Sequence, residues 1–214
     1  MKNLIDLILL PTGGCCGTTN NSNGTGDIHD PGERITDWET ALKFLKEGNK
    51  RYLKDLTIKK DTHTKDRKIL KSGQQPFAVV LTCSDSRTAP EIYFDQKLGG
   101  IFVIRNAGNI ADATTLGSIE FAVGHLKTPL VVVVGHSSCG AVISAYNGGE
   151  YSENLQALLN TINPAVKKCK DADEAIHANV DYVVKQIGKN KIVKKMKAKV
   201  LGAHYCIESG EVNW

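Results

Sequence analysis

Three stretches of the chain, 77–81, 101–104 and 130–134, are apolar without interruption and rich in β-branched or aromatic residues. A strand with one wet face alternates apolar and polar positions, so unbroken runs of this length predict strands covered on both faces. Elsewhere the period lengthens. Trp38, Leu42, Leu45 and Leu53 recur at helical spacing behind Thr36-Asp37-Trp38-Glu39, which reads as a capping box. Residues 116–126 and 141–146 carry helical patterns as well, 199–205 reads as a further strand, and Ser209-Gly210 as a turn. Strands alternating with helices predict an α/β fold around a parallel sheet, with no internal repeat.

Length agrees with one such sheet. A chain of 214 residues with 41% hydrophobic content buries one sizeable core. The expected organisation is a leader and flexible tether over 1–34, then a single domain over 35–214. Residues 17–32 are rich in Asn, Gly, Thr and Ser and too poor in apolar groups to fold, which is why they read as the tether. Before them, Lys2, the apolar stretch 4–10 and Thr12-Gly13-Gly14-Cys15 follow the outline of a bacterial lipoprotein signal, with Cys15 as the candidate site of a lipid anchor. Asp6 interrupts that stretch, and Thr12 stands where such signals favour leucine. Exported or lipid-anchored and cytoplasmic locations therefore both stay open.

Charge changes the picture little. The formal net charge is +4, and the lysines gather late, from Lys185 to Lys199. Such a run reads as a solvated helix face, and without interleaved aromatics it predicts no nucleic-acid partner. No stretch approaches the ~20 apolar residues of a transmembrane span.

The chemistry lies at the ends of the predicted strands. Cys83-Ser84-Asp85-Ser86-Arg87 follows the first, and Gly135-His136-Ser137-Ser138-Cys139-Gly140 follows the third. Parallel strands end on one rim of their sheet, so the two motifs can meet there. His136 and Cys139 have the close spacing of two ligands on one turn, and Cys83 adds a third from a neighbouring strand. Cys₂His is a catalytic zinc set, since tetrahedral zinc then keeps a fourth position open. Asp85, two residues past Cys83, can be held by Arg87 in a bidentate pair. That carboxylate can orient a nucleophile at the metal or, in a closed state, take the fourth position itself.

Cys-Ser-Asp-Ser-Arg followed at long range by Gly-His-Ser-x-Cys-Gly is the double signature of the β-carbonic anhydrases, and the chain resembles that family from about Asp37 to its C-terminus. Phe102-Val103-Ile104-Arg105-Asn106-Ala107-Gly108-Asn109 and Gly117-Ser118-Ile119-Glu120-Phe121-Ala122-Val123 belong to the resemblance. It implies a parallel-centred sheet flanked by helices, with an N-terminal helical arm that embraces a partner in a homodimer or higher oligomer. It further implies a carbon–oxygen lyase that holds Zn²⁺ on Cys83, His136 and Cys139 and converts carbon dioxide reversibly to bicarbonate and a proton. Attack there comes from zinc-bound hydroxide assisted by the Asp85–Arg87 dyad. Gln74, Phe102, Ala107 and Phe121 match the substrate pocket, Phe121 standing where tyrosine is frequent. One subdivision of the family builds an inhibitory bicarbonate site from a tryptophan three residues before the first zinc cysteine. Here that residue is Val80, so the resemblance implies no such regulation despite Arg105.

The same residues admit other readings. A serine-hydrolase elbow needs glycine where Cys139 stands. A thiol enzyme with Cys83 as nucleophile and His136 as base would survive chelation and die on alkylation. A non-catalytic zinc-binding module would close its coordination with Asp85. Hydrolysis of carbonyl sulfide or carbon disulfide is the nearest enzymatic alternative on this scaffold. His29, His63, His125, His177 and His204 read as surface or core residues, and Cys169 and Cys206 carry no assigned chemistry.

Overall fold

The computed structural model describes residues 29, 33–58 and 64–214. Five strands form one sheet: β1 (Ala78–Cys83), β2 (Ile101–Asn106), β3 (Leu130–His136), β4 (Lys199–Tyr205) and β5 (Val212–Asn213). Their order is β2-β1-β3-β4-β5, the first four parallel and β5 antiparallel at the edge. The helices are α1 (Trp38–Leu53), α2 (Thr64–Leu70), α3 (Pro90–Tyr93), α4 (Ala113–Gly124), α5 (Gly140–Asn147), α6 (Glu153–Val166), α7 (Ala172–Lys189) and α8 (Lys191–Met196), with a 3₁₀ turn at Ala107–Asn109.

The apolar runs are continuous because the central strands have no wet face. Ala78, Val80, Leu130, Val132 and Val134 face a core shared with Ala41 and Leu45 of α1 and Tyr93 of α3. Their alternates Val79, Leu81, Val131 and Val133 face a second core built with Ile119 of α4, Val183 of α7 and Val193 of α8. Strand alternation thus divides one apolar segment between two layers. Truncating a residue such as Leu45, fully buried, to alanine costs roughly 2–5 kcal/mol.

Three of the predicted strands are longer than the apolar runs. β1 continues through Thr82 and Cys83, β2 through Arg105 and Asn106, and β3 through Gly135 and His136. Backbone pairing causes the extension: Thr82 and Cys83 lie opposite Arg105 and Asn106, and His136 opposite Tyr205. Ladder hydrogen bonds do not depend on side-chain polarity, so the apolar pattern stopped short. Two of the presumed ligands therefore sit on strand ends rather than past them.

At the front of α1 the capping residue is Asp37, whose Oδ1 accepts from the Thr40 amide at 2.7 Å. The reading with Thr36 as cap was one residue early. The Lys-rich stretch resolves into α7 and α8, the latter capped by Asn190, which accepts from the amides of Ile192 and Val193. Within 17–32, His29 is buried, its ring edge-on to Phe44 and Phe77. Cys15 lies outside the described residues. Among those described, no helix is long and apolar enough to cross a membrane.

Candidate metal centre

β1 and β3 are neighbours in the sheet and run in the same direction, so Cys83 and His136, their last residues, share one rim. The chain then turns sharply. Ser138 takes a left-handed conformation at φ 57°, uncommon for a residue with a side chain, and the turn delivers Cys139 to the front of α5 as its N-cap. Ser137 pins the turn to β4: its amide donates to the Tyr205 carbonyl at 3.0 Å, and its Oγ accepts from the Ile207 amide at 3.0 Å.

One ligating atom each from Cys83, His136 and Cys139 lies within 4.8 Å of the others, and all three residues are buried. Among the described residues this is the one group of His, Cys, Asp and Glu so placed. The two sulfurs are 3.9 Å apart, against a separation of ~3.8 Å for tetrahedral zinc with Zn–S of ~2.3 Å. His136 Nδ1 lies 2.9 Å from the Ser137 carbonyl, so it carries the proton and donates. Nε2 is buried and has no hydrogen-bond partner in the protein. A buried polar atom without a partner is costly, and a backbone carbonyl fixing the tautomer is how a metal-ligating imidazole is usually held. The donor set fits zinc.

The sulfurs titrate as a pair. Cys83 is pushed down to about 4, chiefly because Cys139 donates its S–H to it, with further help from His136 and the Gly108 amide. Cys139 is pushed up as the donor of that bond and by burial beside the Cys83 thiolate. The Gly108 N–H reaches the Cys83 sulfur at 3.4 Å, and Gly108 is held by the buried Asn179 of α7, whose Nδ2 donates to its carbonyl at 2.9 Å. Gly108 has φ 74°, and a Cβ there would stand 2.6 Å from Ile162 Cδ1. Gly108 stood in the sequence only as part of a run resembling the family, with no role at the site, and Asn179 was not marked at all; Asn179 of α7 reaches the 3₁₀ turn only in the folded chain.

Beside the cluster, Arg87 grips Asp85 with Nε on Oδ1 at 2.9 Å and Nη2 on Oδ2 at 2.7 Å, and its backbone amide also donates to Oδ1 at 2.9 Å. These bonds hold the Asp85 carboxyl down at about 2 against the opposing effect of burial. Asp85 is ionised at any pH at which the protein would work.

The four expected pocket residues do not gather at one place. Ala107 opens the 3₁₀ turn that touches Cys83. Gln74 precedes β1, whose length alone carries it about 17 Å from Cys83 at ~3.3 Å per residue; with Arg67, Lys71 and Leu98 it lines a surface hollow of about 550 Å³. Phe102, the second residue of β2, pairs with Val79 well below the rim. Its ring lies 6.3 Å from that of Phe121, which is 47% exposed on α4.

Fold and cluster together define an α/β protein with a buried Cys-His-Cys group, able to hold a metal ion, at the carboxyl edge of its sheet. A family model described as carbonic anhydrase matches residues 78–212. Over 186 residues the chain is 37% identical to a carbonic anhydrase of Mycolicibacterium smegmatis, covering 80% of this chain and 90% of that one. Among solved structures, the β-carbonic anhydrase CafA of Aspergillus fumigatus matches with a TM-score of 0.64 at 26% identity, over 82% of this chain and 89% of that one. A tetrameric β-carbonic anhydrase of Sordaria macrospora matches with a TM-score of 0.63 at 27% identity, over 72% of this chain and 86% of that one. The chain belongs to the β-carbonic anhydrase family, lyases that hydrate carbon dioxide.

Proposed function

We propose that Cys83, His136 and Cys139 hold a zinc ion at which the chain interconverts carbon dioxide and bicarbonate, with Asp85 and Arg87 governing the position that faces the substrate. The observation that carries this reading is the buried group of Cys83, His136 and Cys139, with one donor atom of each within 4.8 Å of the others and His136 Nε2 without a hydrogen-bond partner. Zinc bound by these donors would supply an acidified water as nucleophile. Asp85, held ionised, would accept a hydrogen bond from a water in that position and orient it toward the carbon of the substrate. Arg87 keeps the carboxylate from swinging away. Both carboxylate oxygens are already taken by Arg87, which supports the orienting role over a closed state with Asp85 as fourth ligand. Ala107, beside Cys83 and half-buried, offers the small apolar wall that a linear, uncharged substrate needs.

A homodimer or higher homo-oligomer completes the pocket on this reading. β2 is an edge strand, and its apolar residues Ile101, Phe102, Val103 and Ile104 are only partly buried. An apolar edge of this kind invites pairing. Gln74, Phe102 and Phe121, which lie away from the cluster of their own chain, would then serve a second copy.

Stopped-flow hydration of carbon dioxide, measured with and without removal of zinc by a chelator, tests the proposal. Activity that depends on about one zinc per chain and returns on re-addition supports it. Activity that survives chelation and dies on alkylation would overturn it in favour of a thiol enzyme.

A further inference from the structure

Arg105 stands on β2 directly opposite Thr82 of β1. From there its side chain reaches across the carboxyl end of β1. Nε donates to the Cys83 carbonyl at 3.0 Å, and Nη2 to the Asp85 carbonyl at 2.7 Å. Those two carbonyls belong to the residue that supplies the first sulfur and to the residue that supplies the carboxylate. One guanidinium therefore spans both halves of the candidate site.

The segment between them needs such a tie. It leaves the sheet after Cys83 and is held otherwise by the Ser84 amide on the Asn106 carbonyl at 3.0 Å and by Thr88. The Thr88 hydroxyl shares the same two carbonyls, at 3.3 and 3.0 Å. Serving two acceptors in fixed directions is what a planar guanidinium does and a single ammonium cannot, because its N–H donors project as a rigid fork. Two of its N–H groups, on Nε and Nη2, donate here to main-chain carbonyls.

We propose that Arg105 is a positioning residue: it clamps the Cys83 and Asp85 carbonyls so that the first ligand and the orienting carboxylate keep one fixed relation. This rests on the zinc reading given above. The clamp has two consequences. Loss of the Cys83 contact loosens the grip on the metal, and loss of the Asp85 contact lets the carboxylate drift from the nucleophile. Partners behind a metal ligand typically carry effects of about 10- to 100-fold in affinity or activity.

The test uses zinc-loaded wild type, Arg105→Met and Arg105→Lys, each checked for folding by near-ultraviolet circular dichroism. Zinc release to a chromogenic chelator is followed in parallel with stopped-flow carbon dioxide hydration in excess zinc. Arg105→Met should release zinc about 10- to 100-fold faster and turn over more slowly by a similar factor, with Arg105→Lys between it and wild type. In an Asp85→Asn background the Arg105→Met change should lower turnover by no more than about threefold further, since both act through one carboxylate. Zinc release and turnover equal to wild type in a folded Arg105→Met or Arg105→Lys variant would overturn the proposal. So would losses that multiply in the double variant. If Arg105→Met does not fold, the lysine variant alone decides by the same criteria. A wild type that binds no zinc defeats the metal reading itself, an outcome distinct from a zinc-binding wild type whose Arg105 variants behave identically to it.

Discussion

The two loops that build the centre are held in opposite ways. The turn from His136 to Cys139 is short, its two ends buried, with one left-handed serine and a backbone bond to β4. The loop after Cys83 is held mainly by side chains: its own Arg87 on Asp85, Arg105 of β2 on its carbonyls, and Asn179 acting through Gly108 on the sulfur. One half is fastened mainly through its backbone, and the other mainly through side chains, two of them from distant residues. Substitutions in the first half should therefore act all at once, and those around the second by degrees.

The sharpest break is Cys139→Ser, which takes a sulfur from the turn held by its own backbone. Zinc retention and turnover should vanish together, read by metal analysis and stopped-flow hydration, while retained zinc would show that the turn does not supply a ligand. Asp85→Asn should instead separate the two, lowering turnover about 10- to 100-fold with zinc content unchanged; equal loss of both would make Asp85 structural. Gly108→Ala probes the indirect hold on Cys83. Strain at φ 74° and the approach to Ile162 should cost roughly 1–3 kcal/mol, a melting point lower by about 2–4 °C for each kcal/mol, together with faster zinc release. An unchanged melting point and release rate would show that the turn at Gly108 yields without cost.

The smallest effect concerns His204, beside Gly135 near the end of β3. Its ring is buried and stacked on His177, and its pKa is pushed down to about 4, first by burial and then by the neighbouring charge of His177, with Asp173 opposing and His136 adding slightly. A histidine in the unfolded chain binds its proton near pH ~6.5, so between about 6.5 and 4 the unfolded state gains a proton that the folded state refuses. Stability is complete above that window and falls as pH drops through it. His204→Gln should flatten the fall in melting temperature between pH 7 and 5. An equally steep fall in the variant would place the acid sensitivity elsewhere.

Much of this arrangement was legible in the residues. Three apolar runs marked the central strands, and two motifs placed at their ends marked Cys83, His136 and Cys139. The strand ends were misjudged because Thr82, Arg105 and His136 are polar while their backbones still pair. Arg105 was legible only as the counterpart of an anion-binding residue. Its contact with the Cys83 and Asp85 carbonyls depends on β2 lying beside β1, which no local pattern specifies. Asn179 carried no assignment in the sequence, yet from α7 its side chain reaches the Gly108 carbonyl.

By itself the sequence determined the kind of layers, the three candidate donor residues and the rim on which they would meet, because strand burial and side-chain chemistry are local properties of residues and their neighbours. Tertiary structure alone decided strand order, which imidazole nitrogen is left bare, and which distant donors grip the Cys83 loop. Those outcomes depend on contacts across 20 to 70 intervening positions, such as Arg105 with Cys83 and Asn179 with Gly108. Such contacts exist only once the sheet has brought its strands side by side and α7 has closed over the 3₁₀ turn.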